Sequence, residues 1–296
     1  MTALGSGVSA PQGRTDRIAA IGWRRPFSAN WTREWSSGNH GATAMLVLDI
    51  GNTSIKAGFF HKGRLTVVAS ASDAASLAPK LRKFEKPEAA AAASVRPAQD
   101  DPLRRVVREL FDIPVAFLGK DLPAGVPILC QQPEKVGADR LANSLAAFHH
   151  AQGRAIVVDF GTAIAFDVIS DRGEFLGGAI APGVSTCLDA LHEKTALLPR
   201  VEIDEPPAAV GNNTANAILA GVIGGLPGLV DRVIENIEAE MTTKFTVYAT
   251  GGDSRFVAAQ CHTVDEVIPS LTLEGIYLAW KRHEEKLRKE MMNDER

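Results

Sequence analysis

The chain contains the sequence Asp49-Ile50-Gly51-Asn52-Thr53 directly after the apolar residues Met45 to Leu48. A second version of this pattern, Asp159-Phe160-Gly161-Thr162-Ala163, follows Ile156 to Val158 later in the chain. Each pattern predicts a buried strand that ends in Asp-x-Gly and turns sharply into a second apolar segment. Such a turn offers backbone N–H groups, small hydroxyls and a carboxylate, the groups that hold phosphates and a metal ion. Two such turns, each opening its own cluster of strands, predict a duplicated domain that closes on a nucleotide.

The composition is that of an ordinary globular chain and restricts the classes of function. Of the 296 residues, 45% are apolar and 23% are charged. The net charge of -3 argues against nucleic acid as a partner, because its phosphates require a basic footprint. No apolar stretch approaches the length of a membrane span, so no membrane is expected. The three cysteines are odd in number, lie far apart and form no C-x-x-C motif, which favours a reducing cytoplasm.

Residues 1–44 differ from the rest of the chain. They contain three of the four tryptophans and five arginines against two acids, without sustained periodicity. They hold no long apolar core of the kind found in a secretory signal, although an arginine-rich leader is also compatible with a transit peptide. We expect a disordered extension or a misassigned start, with the compact fold beginning at Met45.

The predicted order of elements repeats along the chain. In the first half the predicted strands are 45–50, 55–60, 65–69, 89–95 and 114–118, with helices at 73–85 and 101–111. An amphipathic helix is predicted at 137–152 from the spacing of Leu141, Leu145 and Phe148. The strands then start again at 154–159, 163–169 and 174–180, followed by helices at 184–192 and 214–237 and a strand at 245–249. We therefore expect two α/β halves, 45–152 and 153–296, with mixed sheets and a cleft between them.

Two features of the later helices are predicted separately. Gly224-Gly225 and Pro227 predict a kink or break within the helix 214–237. The end of the chain, 273–296, predicts a helix that continues as a solvated, highly charged tail.

The first turn has the composition of a phosphate-binding loop. Gly51 is expected to take the positive φ of a tight turn and to let a phosphate approach the backbone. Asn52 and Thr53 can donate hydrogen bonds to phosphate oxygens, and Lys56 can supply positive charge. Asp49 is placed to hold Mg²⁺, directly or through water. An ordinary β-hairpin turn is the alternative interpretation of this segment.

The second turn, Asp159-x-Gly161-Thr162, repeats this arrangement in the other half. Two facing turns would hold the phosphates from both sides. This differs from the P-loop, whose G-x-x-x-x-G-K-[ST] motif does not occur in the chain. The segment Gly177 to Gly183 has little bulk and predicts the close approach of a ligand or of another backbone, with a plain strand-to-helix turn as the alternative. Thr250-Gly251-Gly252 follows a predicted strand and similarly fits a base or ribose lying against the backbone.

Gly137-Ala138-Asp139-Arg140 stands at the start of the predicted helix 137–152. A carboxylate in the first turn of a helix often interacts only with the helix dipole. The adjacent arginine favours a functional alternative, in which the pair serves as base and anion clamp beside a cleft.

Together these residues resemble a type III pantothenate kinase, a bacterial family of the acetate and sugar kinase/heat-shock 70/actin superfamily. The resemblance extends from about Met45 to Trp280. Its motifs, in the order of the family, are DIGNTSIK (49–56), ASVRP (93–97), GADR (137–140), DFGTA (159–163), GGAIAPG (177–183), GNNT (211–214) and TGG (250–252). The implied fold is α/β, with duplicated ribonuclease H-like (actin-like ATPase) domains, each a mixed sheet flanked by helices, and ATP in the cleft between them.

The resemblance implies ATP-dependent phosphorylation of pantothenate to 4′-phosphopantothenate, the first step towards coenzyme A. Asp139 would be the general base on the primary hydroxyl, and Arg140 would lie near the carboxylate. Asp159 would bind a monovalent cation, K⁺ or NH₄⁺, in addition to Mg²⁺ at Asp49. The implied ATP-binding residues are Asp49, Ile50, Gly51, Asn52, Thr53, Ser54, Ile55, Lys56 and Thr162. The implied pantothenate-binding residues are Gly137, Ala138, Asp139, Arg140 and Thr214.

The family forms homodimers with the substrate pocket near the subunit interface, so a homodimer is expected. The chain departs from the family pattern at Gln131, in a segment where an aromatic residue is common, and at Ala165, where a small hydroxyl residue is common.

Two other functions stay open at the level of the sequence. One is another small-molecule kinase of the same superfamily, although the chain is short for most sugar kinases and has no Cys/His zinc cluster. The other is a regulatory or binding protein that kept the fold and lost catalysis. The presence of Asp49, Lys56, Asp139 and Asp159 argues against a silent enzyme, because a binding module has little use for all four.

Overall fold

The computed structural model describes residues 44–61, 64–203 and 207–294, which belong to one compact unit. The extension predicted for residues 1–44 lies outside these ranges, apart from Ala44. The predicted boundary between the two halves at residues 152 and 153 stays a prediction.

The first sheet contains β1 (Met45–Ile50), β2 (Ile55–His61), β3 (Arg64–Ala71), β4 (Ala89–Ser94) and β5 (Val115–Phe117). Their spatial order is β3-β2-β1-β4-β5, with β1 antiparallel to β2 and parallel to β4. The second sheet contains β6 (Ala155–Phe160), β7 (Ala163–Ile169), β8 (Phe175–Pro182), β9 (Thr246–Thr250) and β10 (Glu266–Val267). Its order, β8-β7-β6-β9-β10, and its strand directions are those of the first sheet. The predicted duplication is therefore confirmed.

The described helices are α1 (Ala74–Leu81), α2 (Asp100–Phe111), α3 (Ala138–Ala151), α4 (Val184–Lys194), α5 (Thr214–Met241), α6 (Ser254–Val257) and α7 (Leu271–Asp294). Most of them agree with the predicted segments within a few residues. The helix α7 extends through the segment predicted as a tail, and its second part is exposed and charged as expected.

Alternate residues of the central strands are buried on opposite faces of each sheet. Leu46 and Leu48 of β1 belong to one core with α1 and α2, and Ile156 and Val158 of β6 belong to another with α4 and α5. The opposite face of the first sheet packs against α7, and that of the second sheet packs against α3. We call these two faces the inner faces. The alternation places the aspartate near the end of each central strand on an inner face.

The helix α3 lies between the two sheets, in contact with β4, β6, β7 and α7. All residues from Leu141 to Ala147 are buried, so the predicted amphipathic pattern describes only part of its surroundings. Gly275 of α7 faces Ala142 of α3 so closely that a Cβ atom at Gly275 would lie 1.8 Å from the Ala142 carbonyl oxygen. This backbone contact sets the distance between α3 and α7.

The helix α5 differs from two expectations. It is continuous from Thr214 to Met241 with Pro227 inside, so a break does not occur, and the kink that the sequence predicts as the alternative stays a prediction. It is also long and apolar enough to cross a membrane by length and composition, so the statement that no such stretch exists was wrong. The apolar length of this segment is easily underestimated from the sequence, because glycines and Pro227 interrupt the apolar residues. These residues add no charge, so the segment stays apolar as a whole. Ile218, Ile223, Leu226, Val230 and Ile234 of this helix pack into the core of the second sheet.

Candidate active site

Two strand ends from different sheets contribute carboxylates to one cavity of about 530 Å³. Asp49 is the next-to-last residue of β1, and Asp159 holds the same place in β6. The register of the two hairpins sets Lys56 directly opposite Asp49, and Ala165 directly opposite Asp159. The duplicated turns are therefore alike in backbone and unlike in charge.

The first turn closes tightly after β1. The backbone N–H of Gly51 donates to the Ser54 carbonyl oxygen at 3.0 Å. Asn52 and Thr53 are exposed at the cavity, and the half-buried Ser54 and Lys56 also line it. Hydroxyl, amide and ammonium groups at one loop are suited to binding phosphate oxygens.

The second turn meets the first across the cavity. The hydroxyl groups of Thr53 and Thr162 lie 3.0 Å apart although 109 residues separate them in the chain. The carbonyl oxygen of Thr162 accepts hydrogen bonds from the Gly183 N–H at 3.0 Å and the Thr186 hydroxyl at 2.6 Å. Gly183, directly after β8, thus supports this turn, because a Cβ atom at this position would lie 2.1 Å from the Gly161 carbonyl oxygen.

The loop after β9 also packs on the second turn. Gly251 has a φ of 95°, which only glycine adopts readily, and a Cβ atom there would lie 2.5 Å from Asp159 Oδ1. Gly251, Gly252 and Asp253 line the cavity. The predicted low-bulk segment is therefore at the cavity.

The start of α3 brings a third carboxylate to the cavity. Oδ1 of Asp139 accepts a hydrogen bond from the Arg140 backbone N–H at 2.8 Å. A Cβ atom at Gly137 would lie 2.4 Å from this oxygen, so the glycine leaves the space that the carboxylate occupies. Asp139 and Arg140 both line the cavity, beside residues of both turns.

When ionised, the three carboxylates of Asp49, Asp139 and Asp159 carry more negative charge than the neighbouring cationic side chains balance. Burial raises the pKa of Asp49 to about 7; Lys56 opposes this, whereas Asp139 and Asp159 add to it. Burial also raises the pKa of Asp139, against the hydrogen bond and charge of Arg140. The pKa of Asp159 is raised by burial and then by Asp139. A cation bound beside these carboxylates would lower their pKa values, since an opposite charge favours the ionised form.

The carboxylates do not form a complete metal site by themselves. Among the described residues, no three His, Cys, Asp or Glu side chains converge as ligands for one ion. Magnesium in nucleotide sites commonly takes one or two carboxylates, several waters and the substrate phosphates. The residues present fit that arrangement.

Comparison with known proteins places this geometry in a family. The sequence model of the type III pantothenate kinase family matches residues 45–236. The chain belongs to this family. A type III pantothenate kinase of Moorella thermoacetica is 37% identical over 252 residues, covering 81% of this chain and 99% of the relative. That of Anaeromyxobacter dehalogenans is 44% identical over 191 residues, covering 64% of this chain and 75% of the relative.

A solved structure shows the same fold. A Campylobacter jejuni protein superposes on this chain with a TM-score of 0.51 at 20% identity. It is provisionally described as a conserved Baf family transcriptional activator. The match covers 81% of this chain and 99% of that chain. With the duplicated sheets and the membership of the type III pantothenate kinase family, the predicted actin-like ATPase fold class is confirmed.

Not every residue that the family resemblance implied lines the cavity of this type III pantothenate kinase. Ile50 and Ile55 are fully buried in the core of the first sheet, so only their backbone is available to a phosphate. Ala138 and Thr214 are not among the lining residues. Gly51 does not have the positive φ expected of it, because the turn closes through Ser54 in an ordinary conformation. Its lack of a side chain is the remaining reason for glycine there.

Two buried polar residues of this family member were not predicted. Asn143 donates from Nδ2 to Asp159 Oδ2 at 3.2 Å, and Asp167 accepts from Arg140. Asn143 follows Asp139 by four residues, so both lie on one face of α3, and this spacing was a usable signal. Asp167 is an acid inside the apolar strand Ala163–Ile169, which was a second signal.

An Asp49→Asn variant is expected to be more stable than the unchanged kinase at pH 8 without nucleotide or added divalent cations. The pKa of Asp49 is raised on folding, so stability falls as the pH rises from about 4 to about 7. Asparagine does not ionise and escapes this loss, which corresponds to about 1.4 kcal/mol for each pKa unit. Urea unfolding at pH 5 and pH 8 measures the difference, which should be larger at pH 8.

Asp121→Asn is the matched control for this titration. The pKa of Asp121 is lowered, first by the hydrogen bond from the Phe117 N–H, so its ionised form stabilises the fold. This variant should therefore lose stability at pH 8, with the opposite sign to Asp49→Asn. A gain for Asp49→Asn that is equal at both pH values would show that the Asp49 charge is not its cause.

Proposed function

We propose that this chain transfers the γ-phosphoryl group of ATP to the primary hydroxyl of pantothenate, yielding 4′-phosphopantothenate and ADP. The hydroxyl oxygen forms a bond to the γ-phosphorus, and the bond from that phosphorus to the β,γ-bridging oxygen breaks. The hydroxyl proton passes to the carboxylate of Asp139. This is the first step towards coenzyme A.

One observation carries this proposal, namely the half-buried Asp139 carboxylate beside both phosphate turns. A general base works best when its pKa is near the working pH, and burial raises the pKa of Asp139 in that direction. Arg140 lines the same cavity and offers a cation for the carboxylate of pantothenate. An acceptor held between them would present its hydroxyl to Asp139 and its acidic end to Arg140.

The two turns after β1 and β6 would align ATP, the phosphoryl donor. Phosphoryl transfer through a loose transition state needs positioning and charge neutralisation more than covalent help. Asn52 and Thr53 from the first turn and Thr162 from the second would donate hydrogen bonds to the phosphates, with Lys56 as a fixed positive charge. Mg²⁺ at Asp49, directly or through water, would neutralise charge on the phosphate oxygens.

Asp159 is the better candidate for a monovalent cation. Asp49 has Lys56 opposite it in the hairpin, whereas Asp159 has Ala165 at the corresponding place. Burial and the charge of Asp139 raise the pKa of Asp159, and the charge of Lys56 and the hydrogen bond from Asn143 offset this rise only in part. K⁺ or NH₄⁺ beside Asp159 would supply the charge that the second turn lacks.

An assay of ADP release tests the proposed function. It uses the full chain with Mg²⁺-ATP and pantothenate, in the presence of K⁺, NH₄⁺ or only a bulky organic cation. We expect pantothenate-dependent ADP release that requires K⁺ or NH₄⁺. A panel of hexoses and small acids is the control, and phosphorylation of one of these but not of pantothenate would reject the proposal.

We further propose a homodimer formed through the exposed face of α5. Gly221, Gly224, Gly225 and Gly228 lie along this helix, and a Cβ atom at any of them would meet nothing within 4 Å. Only 39% of the most apolar 18-residue stretch of α5 is buried. A second copy would cover this face, because small residues let two backbones approach closely. Thr214 begins the same helix, so it would contact pantothenate across the subunit interface and not in its own cavity.

A Gly221→Trp variant is expected to shift the protein from dimer to monomer, because the indole would hold the two helices apart. The KM for pantothenate should rise with it, since Thr214 would leave the acceptor pocket. Sedimentation velocity measures the state. Glu240→Trp, at an exposed position near the end of the same helix, is the control and should leave the dimer intact. A monomeric unchanged protein would contradict the dimer itself.

The compartment is proposed on chemical grounds. Cys130, Cys187 and Cys261 are all free thiols in the described part of the chain. Free cysteines and an ATP-dependent reaction favour the reducing cytoplasm.

A further inference from the structure

A buried carboxylate in the second sheet contacts Arg140, the arginine that is proposed to bind the carboxylate of pantothenate. Asp167 lies in β7, on the same inner face as Asp159, and its side chain is completely buried. Its Oδ1 atom accepts from Nε of Arg140 at 2.6 Å and lies 2.6 Å from Nη2. Both contacts use one oxygen and one edge of the guanidinium group.

The burial of Asp167 does not serve stability well. Its second oxygen, Oδ2, is buried and has no hydrogen-bond partner among the described residues. Burial raises the pKa of Asp167 to about 7, although the charge of Arg140 opposes this. A buried ion pair is frequently no more stabilising than apolar residues of similar volume. A further reason for a carboxylate at this position is therefore needed.

The surroundings of Arg140 hold its guanidinium group in one orientation. The Phe175 ring lies below it, with 5.2 Å between the ring centroid and Cζ. Gly178 of the neighbouring strand passes beside Nη2, and a Cβ atom there would lie 1.6 Å from the Phe166 carbonyl oxygen. Nη2 also donates to this oxygen at 3.4 Å.

This orientation leaves one side of the arginine for a ligand. Arg140 lines the cavity beside Asp139, and its side chain is 21% exposed. No hydrogen bond from Nη1 of Arg140 is present in the part of the chain that the structure describes. With Nε and Nη2 engaged by the protein, Nη1 is the nitrogen that an acidic ligand can use.

We propose that Asp167 is a positioning residue for the acceptor, holding Arg140 so that Nη1 binds the carboxylate of pantothenate. This inference rests on the proposed function. Asp167 touches no reacting atom and acts through Arg140. Its contribution is to the recognition of the acid end of the acceptor, and not to the transfer of the phosphoryl group.

Steady-state kinetics of Asp167→Asn test this role with two acceptors, pantothenate and the analogue in which an alcohol replaces the carboxylate. We expect the KM for pantothenate to rise about 10–100-fold, the range for losing a hydrogen bond to a charged group. The KM for ATP and kcat should stay within about twofold to threefold, since the phosphate turns are untouched. The KM for the alcohol analogue should change little, because that acceptor has no group for Nη1.

Two further variants make the outcome decisive. Asp121→Asn breaks another 2.6 Å arginine–aspartate pair, outside the cavity, and should leave all constants unchanged. Arg140→Lys keeps the positive charge but cannot contact Asp167 and the ligand together, so the KM for pantothenate should rise as in Asp167→Asn. This variant decides the question if Asp167→Asn does not fold, which thermal unfolding will show.

Each outcome separates the inference from the proposed function. An equal rise in KM for both acceptors, or a fall in kcat alone, would assign Asp167 a structural role and overturn the inference. An unchanged KM for pantothenate in Arg140→Lys would also overturn it. If the protein without substitutions does not phosphorylate pantothenate, the proposed function is rejected, and the inference with it.

Discussion

An Asp139→Asn variant is expected to lose about two to four orders of magnitude in kcat, the usual contribution of a general base. Asparagine keeps the size of the side chain but cannot accept the hydroxyl proton. Its amide oxygen can still accept the Arg140 N–H hydrogen bond that Oδ1 accepts now, so the start of α3 should keep its place. ATP binding, measured by calorimetry, should stay near that of the unchanged protein, because the phosphate turns are intact.

The control for this prediction is Asp101→Asn. Asp101 is also a first-turn acid, in α2, but it is exposed and lies outside the cavity. If Asp139 acted only through the helix dipole, both variants would lose a few tenths of a kcal/mol up to about 1 kcal/mol in stability and little activity. Near-normal turnover of Asp139→Asn would therefore remove Asp139 as the base. A loss of ATP binding in parallel would point to a collapsed cavity.

A Gly275→Ala variant is expected to lower the free energy of unfolding by about 2 kcal/mol or more, the upper part of the range for overpacking. Alanine favours a helix over glycine by about 1 kcal/mol, but this gain is smaller than the clash. The new Cβ atom would lie 1.8 Å from the Ala142 carbonyl oxygen and 2.4 Å from its carbon. Because the clash is with backbone, no rotamer change can relieve it, and α3 and α7 must separate.

Urea unfolding and a thermal melt measure this loss. Gly153→Ala is the control, since a Cβ atom at Gly153 meets only the Ala151 carbonyl oxygen at an ordinary 3.8 Å. The KM for pantothenate should rise in Gly275→Ala, because α3 carries Asp139 and Arg140. Stability equal to that of the control would mean that α3 and α7 are not held at this distance in solution.

The fold could be predicted to the extent that it follows from local patterns. Strand alternation and the two Asp-x-Gly turns predicted β1 and β6 and placed Asp49 and Asp159 correctly at their ends. The motif at 137–140 predicted the start of α3 and the carboxylate there. These features depend on residues near one another in the chain, so the sequence displays them directly.

The rest depends on contacts between distant residues. Asp167 meets Arg140 only because β7 lies under α3, and no local pattern states that. The conformation of Gly51 was mispredicted, because a tight turn can close without a positive φ. The helix α5 continues through Pro227 because its apolar residues pack into the second core, where tertiary packing outweighs the lost hydrogen bond.

The helix α7 has a consequence for the order in which the protein can be made. It is the last described element of the chain, yet it packs on β1, β2 and β4, which are among the first. Its Tyr277 stacks on Phe60 of β2 with 3.9 Å between ring centroids. A ribosome that has released the first sheet has therefore not yet made the helix that covers its inner face. The nascent chain must keep that apolar face from aggregating until α7 has been made.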